Sequence, residues 1–466
     1  MIEVSLSWIA EKVQGTLNGQ DIQVNQVSTD TRSIEPGSLF IALMGPNFDA
    51  HDFIAQAASA GAAAVLVSKS VDTLLPVISV EDTRIALGAL GAAVRDEVAP
   101  KTVGITGSSG KTTVKEMVAS ILSLKGNVLA TKGNFNNEIG VPLTLLRLEK
   151  QHEYAVIEMG ANHLGEIDYT CSLAKPDVST IVNASAAHLE GFGSLFGVAR
   201  AKSEIFNGLQ HEGLAILNKD SQFYEYWAGK LSNNRTATFS MDCSDADFYP
   251  EDIILGLDGC AQFDLCTPQG KTSVWLTLPG MHNVNNALVA AALAMEVGAN
   301  LEQVKNGLQQ LQQVSGRLNV KQLSRQVRVL DDTYNANVAS VNAAIDVLSS
   351  FSGRRIVILG DMGELGEKAR FYHEKVGEYA LHNGVDDFYS LGVLSQSASD
   401  VFGGKGHHFS ELGPLIDAVT DALVNEHQDI SILIKGSRSA RMENVVKALE
   451  ESPVGKFDRS RERIAC

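Results

Sequence analysis

The segment from Thr106 to Thr113, T-G-S-S-G-K-T-T, lies between a short apolar run and a stretch with helical periodicity. The apolar run, Val103 to Ile105, has the composition of a buried strand, and apolar residues recur at helical spacing from Val114 to Leu124. A strand, a glycine-containing turn and Lys-Thr at the start of a helix form the arrangement of a phosphate-binding loop. Glycines let the backbone approach an anion, and the free N–H groups at the helix start bind it.

This loop departs from the usual pattern of such sites in one respect. The pattern has a glycine five residues before its second glycine, whereas the chain has Ile105 there and Gly107 inside the loop. A helix start with a turn of small residues is the alternative, but the flanking strand and helix favour phosphate binding. Lys111 would then reach the terminal phosphates, and the Thr112 hydroxyl would bind Mg²⁺. The residues predicted to hold the phosphates are Gly107, Ser108, Ser109, Gly110, Lys111, Thr112 and Thr113.

Composition limits the kinds of partner that the chain can have. A net charge of −17 argues against a nucleic-acid or anionic-membrane partner, while local N–H groups and a few cations can still bind a small anion. The sequence has no apolar run long enough to span a bilayer, and its start does not have the pattern of an export signal. The five cysteines form no C-x-x-C pair, as expected for reduced structural thiols. We therefore expect a cytoplasmic protein, and we take it to be a monomer.

The length of 466 residues is enough for about three domains. We predict boundaries that give domains at residues 1–82, 83–314 and 315–466. The first domain is a small α/β unit, in which Leu39–Leu43 and Ala63–Val67 have the composition of strands and His51–Ala60 that of a helix.

The second domain alternates strands with helices, which predicts βαβ units and a mainly parallel sheet. Its predicted strands after the phosphate loop are Val128–Thr131, Tyr154–Glu158, Val178–Val182 and Leu214–Leu217. Short strand-like pieces between Phe239 and Leu278 predict an antiparallel appendage, and a helix should follow from about Asn283 to Glu296. The third domain has the same alternation, typical of a doubly wound fold, and its predicted strands are Val327–Asp331, Arg355–Leu359, Asp387–Leu391 and Ile430–Ile434.

Three ionisable residues are considered as candidate site residues because of the strands and helices in which they lie or which they follow. Glu158 ends an apolar strand, where a magnesium-holding acid belongs in such a sheet, although it could also cap a helix. His188 follows the next strand, Val178–Val182, and would otherwise be an ordinary surface or core histidine. Lys202 lies in a helical stretch, where a solvated lysine paired with a carboxylate is the default interpretation.

Three segments are rich in amide side chains. Residues 282–286, H-N-V-N-N, precede an Ala-rich helix, and their amides could cap that helix or bind the edge of a purine. Residues 331–337, D-D-T-Y-N-A-N, follow a strand, and their acids could hold a ribose or a metal or form a plain turn. Residues 133–140, G-N-F-N-N-E-I-G, have loop punctuation as their simplest explanation.

A polar loop in the first domain, S-T-D-T-R at 28–32, is also a candidate site. Arg32 offers a planar fork that suits a phosphate or a uracil carbonyl. The alternative is an Asx-type turn whose arginine forms a salt bridge within its own domain.

Taken together, these motifs resemble those of the Mur ligase family over almost the whole chain. The shared motifs occur in family order: T-G-S-S-G-K-T-T at 106–113, E-M-G at 158–160, H-L-E-G-F-G at 188–193, A-K-S-E at 201–204 and H-N-V-N-N at 282–286. A phosphate loop without the first glycine is itself a property of that family.

Three stretches resemble one family member in particular, which adds D-Ala-D-Ala to UDP-N-acetylmuramoyl-tripeptide in peptidoglycan precursor synthesis. They are G-N-F-N-N-E-I-G-V-P-L-T-L-L at 133–146, D-D-T-Y-N-A-N at 331–337 and L-G-D-M-G-E-L-G at 359–366. The Asp-Asn-Pro-Arg motif of the diaminopimelate-adding relative is absent from the sequence.

The resemblance implies an ATP-dependent amide ligase with two Mg²⁺ ions and an acyl-phosphate intermediate. It also implies a UDP-substrate domain, a central ATPase domain and a Rossmann-like third domain that closes over the nucleotide. Thr112 and Glu158 would hold one Mg²⁺, and His188 would help to hold a second together with Lys202, which matches a lysine that the family carbamylates. The residues that would act catalytically are Lys111, Glu158, His188 and Lys202.

The resemblance also assigns the remaining contacts. His282 and Asn286 would contact adenine, and Arg317 and Asp332 would approach the phosphates and ribose from the third domain. The residues assigned to the UDP-linked substrate are Ser28, Asp30, Thr31, Arg32, Asn134, Asn136 and Asn137.

Other functions would leave different signatures in the chain. Another Mur or folylpolyglutamate-type ligase would share the core motifs without the 133–146 stretch. A nucleotide-dependent switch is suggested only by N-K-D at 218–220, which is one residue shorter than the guanine-binding N-K-x-D motif. A binding module without activity would not need the complete set of predicted catalytic residues. The sequence does not indicate whether the accepted tripeptide ends in diaminopimelate or lysine.

Overall fold

The computed structural model describes residues 1–186, 189–311, 315–424, 426, 428–452 and 454. It contains three α/β units in succession along the chain, each built on its own sheet of five or six strands. The predicted α/β class and the three-domain organisation are therefore correct. Within the described residues, no helix is long and apolar enough to cross a membrane.

The first unit is a five-stranded sheet with the spatial order Thr16–Asn18, Val77–Ser79, Ala64–Val67, Leu39–Ile41 and Val27–Ser28. Only the first of these pairs is antiparallel. Helix Leu6–Lys12 packs against the sheet, and two short β-ladders, Val4–Ser5 with Gln23–Val24 and Met44–Gly45 with Phe48–Asp49, complete the unit.

The helix predicted from His51 to Ala60 is shorter in the structure. Ala50–Phe53 forms a 3₁₀ turn because the Asp49 carboxylate accepts a hydrogen bond from the His51 N–H, and the α-helix runs only from Ile54 to Ser59. Gly61 follows with φ of 107°, as expected for a helix stop.

Helix Thr83–Val98 connects the first unit to the central one. The Asp82 carboxylate caps it by accepting from the N–H groups of Arg84 and Ile85. Its buried Leu87, Leu90 and Val94 belong to one apolar core that includes residues of both sheets. The boundary at residue 82 therefore remains a prediction, since the packing is continuous across it.

The central sheet has six strands, all parallel, as predicted. Their spatial order is Val128–Ala130, Tyr154–Glu158, Lys101–Thr106, Val178–Ile181, Leu214–Asn218 and Arg235–Phe239. The helices after the phosphate loop are Lys111–Ser123, Gly140–Leu145, Glu166–Ala174, Leu189–Phe192, Leu195–Lys202 and Tyr224–Lys230, with a 3₁₀ segment at Ser203–Gly208. Strands buried on both faces have continuous apolar runs, which is why the sequence identified all of these strands except the partly exposed edge strand Arg235–Phe239.

The predicted antiparallel appendage is a three-stranded sheet of Tyr249–Leu255, Cys260–Thr267 and Gly270–Pro279. Helix Met281–Glu296 follows, and its Ala-rich faces are buried beside the phosphate-loop helix Lys111–Ser123. Helix Leu301–Gln309, which begins with an Asn300 capping box, completes this unit.

The third unit is a six-stranded sheet in which only the first pair is antiparallel. Its strands in spatial order are Asn319–Gln322, Val327–Asp332, Ile430–Lys435, Arg354–Gly360, Asp387–Leu391 and Gly406–Phe409. Its α-helices are Val338–Ser350, Ala369–His382, Gln396–Asp400, Leu412–Val424 and Glu443–Glu451. Ligands of such open sheets bind at the carboxyl ends of the strands, and here those ends face the central domain.

Candidate active site

A cavity of about 380 Å³ lies between the central and third domains. Its central-domain wall includes the phosphate loop from Ser108 to Thr113, and its third-domain wall includes Arg317, Asp332 and Lys435. The strands Tyr154–Glu158, Val327–Asp332 and Ile430–Lys435 each contribute the polar residue at their carboxyl end. The two domains thus present their strand ends to one shared site.

The phosphate loop is held in shape by Asn183, which follows strand Val178–Ile181. The Asn183 Oδ1 atom accepts from the N–H groups of Ser108 at 3.1 Å and Ser109 at 2.9 Å, and its Nδ2 donates to the Ser109 carbonyl. Gly110 has φ of 77°, and a Cβ atom there would lie 2.8 Å from Asn286 Oδ1. The glycine is needed both for its backbone angle and for its lack of a side chain.

Lys111 is the first residue of the helix, and its ammonium points back over the loop. Its Nζ donates to the Gly107 carbonyl at 2.7 Å. Burial lowers the pKa of Lys111, the Glu158 carboxylate opposes this shift, and the Arg317 charge adds to it. Glu158 and Arg317 therefore lie close enough to Lys111 to form one electrostatic group.

Thr112 and Glu158 form the centre of that group. The Thr112 hydroxyl donates to Glu158 Oε2 at 2.9 Å, and Asn136 Nδ2 donates to Glu158 Oε1 at 2.8 Å. Glu158 is only 2% exposed, and both of its carboxylate oxygens accept from side chains that line the cavity, so it does not cap a helix. Mg²⁺ prefers oxygen ligands and usually takes one or two protein groups together with phosphates and waters. A carboxylate and a hydroxyl beside a phosphate loop fit that requirement.

The described residues contain no cluster of three or more His, Cys, Asp or Glu that could hold a metal ion. The metal sites predicted from the sequence therefore depend on the Thr112–Glu158 pair, on Lys202 and on His188. His188 lies outside the described residues, so its role stays a prediction.

Lys202 lies at the end of helix Leu195–Lys202 and is 2% exposed. Within the described part of the chain, no hydrogen bond or ion pair reaches its ammonium. Burial, together with the nearby Lys111 charge, holds the pKa of Lys202 well below its ordinary value. The default interpretation of a solvated, ion-paired lysine is therefore wrong. Burial and a nearby like charge both favour the neutral form of the amine over the ammonium.

The amide-rich segment before helix Met281–Glu296 lines the cavity through His282, Asn283, Asn285 and Asn286. Asn286 Nδ2 donates to Asn283 Oδ1 at 2.9 Å, and Asn283 Nδ2 donates to the Pro279 carbonyl at 2.8 Å. No side chain caps the start of this helix, so of the two alternatives for these amides, helix capping and purine binding, the second remains. Burial lowers the pKa of His282, so its imidazole is neutral at neutral pH.

Arg317 joins the third domain to the phosphate loop. Its guanidinium lies 4.0 Å from the centre of the Tyr334 ring, and its Nη2 donates to the Thr112 hydroxyl at 3.2 Å. Asn337 Nδ2 makes a second contact between the domains by donating to the Ser108 carbonyl at 3.2 Å. The third domain therefore contacts the phosphate loop at both Ser108 and Thr112.

Asp332 forms a buried pair with Lys435 at the ends of adjacent strands. Lys435 Nζ lies 2.5 Å from Asp332 Oδ2 and 2.8 Å from the Asn335 carbonyl, and the Leu318 N–H donates to Asp332 Oδ1 at 3.2 Å. Burial lowers the pKa of Lys435, whereas Asp332 opposes that shift. The pair fixes the third-domain wall of the cavity.

The first-domain loop has the geometry of a turn. Asp30 Oδ1 accepts from the Arg32 N–H at 2.9 Å, and the Arg32 guanidinium pairs with the same carboxylate at 2.6 Å. This arginine holds the pKa of Asp30 at about 2. Ser28 Oγ donates to the Asp30 carbonyl at 2.9 Å. The described lining of the cavity includes neither these three residues nor Thr31.

Asn134, Asn136 and Asn137 do line the cavity. Asn136 holds Glu158, whereas Asn137 Oδ1 accepts from the Gly140 N–H at 2.8 Å and so stabilises the start of helix Gly140–Leu145. Asn137 therefore has the local role of a loop residue, which was the simplest explanation of this segment.

Comparison with known proteins decides the family. Three family models match: "Mur ligase family, catalytic domain" at residues 23–97, "Mur ligase middle domain" at 105–294 and "Mur ligase, glutamate ligase domain" at 316–438. The UDP-N-acetylmuramoyl-tripeptide–D-alanyl-D-alanine ligase of Escherichia coli K12 is 49% identical over 97% of this chain and 99% of its own length. The chain belongs to the Mur ligase family. The protein of the same name from Bacillus subtilis is 35% identical over 97% of this chain and 100% of its own.

Solved structures agree with this assignment. The crystal structure of MurF from Acinetobacter baumannii superposes on this Mur ligase with a TM-score of 0.92 at 37% identity, covering 97% of this chain and 99% of the other. MurF ligase from Thermotoga maritima, solved in complex with ADP, gives 0.81 at 28% identity and covers 91% and 97% of the two chains. The predicted family and the predicted fold are both confirmed.

The sequence analysis of this Mur ligase missed several residues that line the cavity. They are Asn183, Lys435 and Arg438, whereas Tyr334 and Asn337 lie in the 331–337 segment that the sequence analysis singled out. Lys435 could have been found, because it directly follows the apolar run Ile430–Ile434, as Glu158 follows its own strand. Asn183 follows the next predicted strand in the same way.

Proposed function

We propose that this Mur ligase joins the terminal carboxylate of UDP-N-acetylmuramoyl-tripeptide to the amine of D-Ala-D-Ala, with ATP converted to ADP and phosphate. The observation that carries the proposal is the match of 49% identity, over nearly the full length of both chains, to a ligase named for that reaction. The product would be a peptidoglycan precursor.

The chemistry requires activation of the carboxylate, which is a poor acylating agent. A carboxylate oxygen attacks the γ-phosphorus of ATP, ADP leaves, and an acyl phosphate forms. The amine of the dipeptide then attacks the carbonyl carbon, the amide bond forms as the C–O bond to phosphate breaks, and the amine loses a proton. Exclusion of water protects the intermediate, which a site enclosed by two domains would favour.

We assign the phosphates to the loop from Gly107 to Thr113. The Lys111 ammonium would reach the β- and γ-phosphates, and the Arg317 guanidinium, already beside Thr112 at 3.2 Å, would approach them from the third domain. Thr112 and Glu158 would hold one Mg²⁺, and His188 with Lys202 would help to hold a second. Bound Mg²⁺ would neutralise charge on the transferring phosphoryl group. Ser108 and Ser109 would exchange their contacts with Asn183 for phosphate oxygens.

Lys202 would serve as a metal ligand only after carbamylation. The neutral amine adds to CO₂, the new N–C bond gives a carbamate, and a proton is released. Two features support this step, namely the absence of a partner for Lys202 among the described residues and its strongly lowered pKa. The reaction would convert a buried cation into an oxygen-bearing anion that suits Mg²⁺.

The nucleoside is assigned to the other walls of the cavity. His282, a neutral imidazole, and Asn286 would contact adenine, and Asp332, held by Lys435, would accept a hydrogen bond from ribose. Asn134, Asn136 and Asn137 would approach the UDP-linked peptide. The domain boundaries 1–82, 83–314 and 315–466 are part of the same proposal. A cytoplasmic location, which rests on the sequence, and a monomeric state are also part of it.

The first domain would bind the UDP group through Ser28, Asp30, Thr31 and Arg32. Arg32 has 85% of its side chain exposed, so Asp30 orients the guanidinium without covering it. Arg32→Ala is expected to raise the KM for UDP-tripeptide by about 10-fold, the loss of one charge-assisted contact. The KM for ATP should change little, because ATP would bind between the central and third domains, away from Arg32. Steady-state kinetics with each substrate varied in turn would measure both constants.

Lys69→Ala is a matched control for Arg32→Ala, since it also removes a cation that is paired with a first-domain aspartate, Asp49. A higher KM for ATP with an unchanged KM for UDP-tripeptide would reverse the assignment. A lower melting temperature with unchanged kinetics would mean that the pair serves only the turn.

The proposed reaction is tested by mass spectrometry of the UDP-linked product. Wild-type protein should form the UDP-pentapeptide from ATP, UDP-tripeptide and D-Ala-D-Ala, and should form no product with a single amino acid in place of the dipeptide. Product with diaminopimelate or glutamate would assign it instead to another ligase of the family. A nucleotide switch would give no product. Asn218 and Asp220, the residues that suggested a switch, form a local turn in which the Asp220 N–H donates to Asn218 Oδ1 at 2.9 Å.

A further inference from the structure

Lys115 is a buried cation one helical turn after Thr112, and no step above uses it. It lies in helix Lys111–Ser123, and its side chain is 3% exposed. Its Nζ lies 2.5 Å from Glu116 Oε1 and donates to the Thr131 carbonyl at 2.8 Å. Lysine is seldom buried without a polar partner, and here one of its partners is the backbone at the end of a neighbouring strand.

Thr131 follows strand Val128–Ala130 and uses all three of its polar groups. Its N–H donates to the Val156 carbonyl at 3.0 Å, its hydroxyl oxygen accepts from the Glu158 N–H at 3.0 Å, and its carbonyl accepts from Lys115. Thr131 is 1% exposed, so water does not replace these contacts. The backbone of Glu158 is therefore held by a residue that Lys115 in turn holds.

These contacts close a circuit around the Thr112–Glu158 pair. Thr112 and Lys115 share one helix, Lys115 holds Thr131, Thr131 holds the Glu158 backbone, and the Glu158 carboxylate returns to the Thr112 hydroxyl at 2.9 Å. Asn136, which orients the second carboxylate oxygen, lies on the segment that leaves Thr131. The hydroxyl and the carboxylate are thus connected through buried contacts as well as directly.

We propose that Lys115 is a positioning residue that fixes the Glu158 carboxylate relative to the Thr112 hydroxyl through Thr131, and so sets the affinity of the nucleotide site for a divalent cation. The inference rests on the proposed assignment of Mg²⁺ to Thr112 and Glu158. Groups that orient metal ligands typically change metal affinity by about 10- to 100-fold when they are removed.

The test compares Lys115→Met, which keeps the length of the side chain without its ammonium, with Lys115→Arg, which keeps a donor. Calorimetric titration of ADP at a series of Mg²⁺ concentrations measures binding without any turnover. We expect Lys115→Met to need about 10-fold more Mg²⁺ for half of the maximal gain in ADP affinity. Lys115→Arg should recover most of the loss, and the KM for UDP-tripeptide should change little in either variant.

Thr131→Val tests the same circuit with Lys115 left in place. It removes the hydroxyl that accepts from Glu158 N–H and should raise the Mg²⁺ requirement in the same direction. The double variant should be no worse than the more affected single variant, because both break one chain of contacts. Lys125→Met, at an exposed lysine just beyond the same helix, is the control and should match wild type.

The outcomes separate this inference from the proposed function. If wild-type protein binds ADP with no dependence on Mg²⁺, the metal assignment to Thr112 and Glu158 fails. If wild type depends on Mg²⁺ and Lys115→Met has the same dependence, Lys115 only fills space and the inference is overturned. If Lys115→Met does not fold, Thr131→Val decides, and an unchanged Mg²⁺ requirement in that variant also overturns it.

Discussion

Lys111→Ala is expected to lower ligase turnover by about 100- to 1,000-fold, the usual cost of losing one positioned donor at a transition-state charge. Lys111 opens the helix after the loop, and its ammonium lies 2.7 Å from the Gly107 carbonyl, over the place where the loop would hold phosphates. Burial, which lowers the pKa of Lys111, places its side chain in a poorly solvated setting, where electrostatic interactions are strong. The measurement is kcat for phosphate release at saturating substrates.

Lys101→Ala provides the control for Lys111→Ala. Lys101 begins the strand that leads to the phosphate loop, but its side chain is 64% exposed and pairs with Asp177 at 3.0 Å. It should retain wild-type turnover, because exposed ion pairs contribute little to stability. Turnover close to wild type in Lys111→Ala would refute the assignment of the loop to phosphate.

Lys202→Ala should be nearly inactive, and small carboxylic acids such as acetate should restore part of the activity. The reason is that alanine removes the proposed carbamate and leaves a buried space beside Lys111 that an acid can enter. The same argument predicts a carbonyl signal in ¹³C NMR spectra of wild-type protein supplied with ¹³C-bicarbonate, and no such signal in Lys202→Ala. Turnover with and without acetate measures the rescue.

Lys219→Ala is the matched control for Lys202→Ala. Lys219 is paired with Asp245 at 2.7 Å, and the described lining of the cavity does not include it. It should keep both its activity and the ¹³C signal. Full activity of Lys202→Ala without acid would show that the buried lysine is structural.

Much of the fold could be predicted because the strands of parallel sheets are buried on both faces. Tyr154–Glu158 and Val178–Ile181 are such strands, and their apolar runs were found to within a residue. The polar residue that ends such a run then marks the edge where ligands bind. This rule identified Glu158 and the 331–337 segment, within which the family resemblance selected Asp332, and the structure brings both residues to the cavity.

Other features depend on spatial order, which periodicity does not contain. Strand Ile430–Lys435 lies between Val327–Asp332 and Arg354–Gly360, so Lys435 meets Asp332 across a sequence separation of 103 residues. The contact of Asn183 with the phosphate loop likewise requires the register of two strands. The default interpretation of Lys202 as a solvated lysine was wrong because a helical sequence pattern does not reveal which face of the helix other elements cover.

The most direct test of the account is isotope transfer from the tripeptide. UDP-tripeptide with ¹⁸O in its terminal carboxylate, ATP and D-Ala-D-Ala would be incubated with wild-type protein, and the released phosphate and the nucleotide product would be analysed by mass spectrometry. The account predicts ADP, the UDP-pentapeptide and one ¹⁸O atom in each phosphate, because the carboxylate oxygen leaves with the phosphoryl group. Phosphate without ¹⁸O, or formation of AMP in place of ADP, would contradict activation through an acyl phosphate.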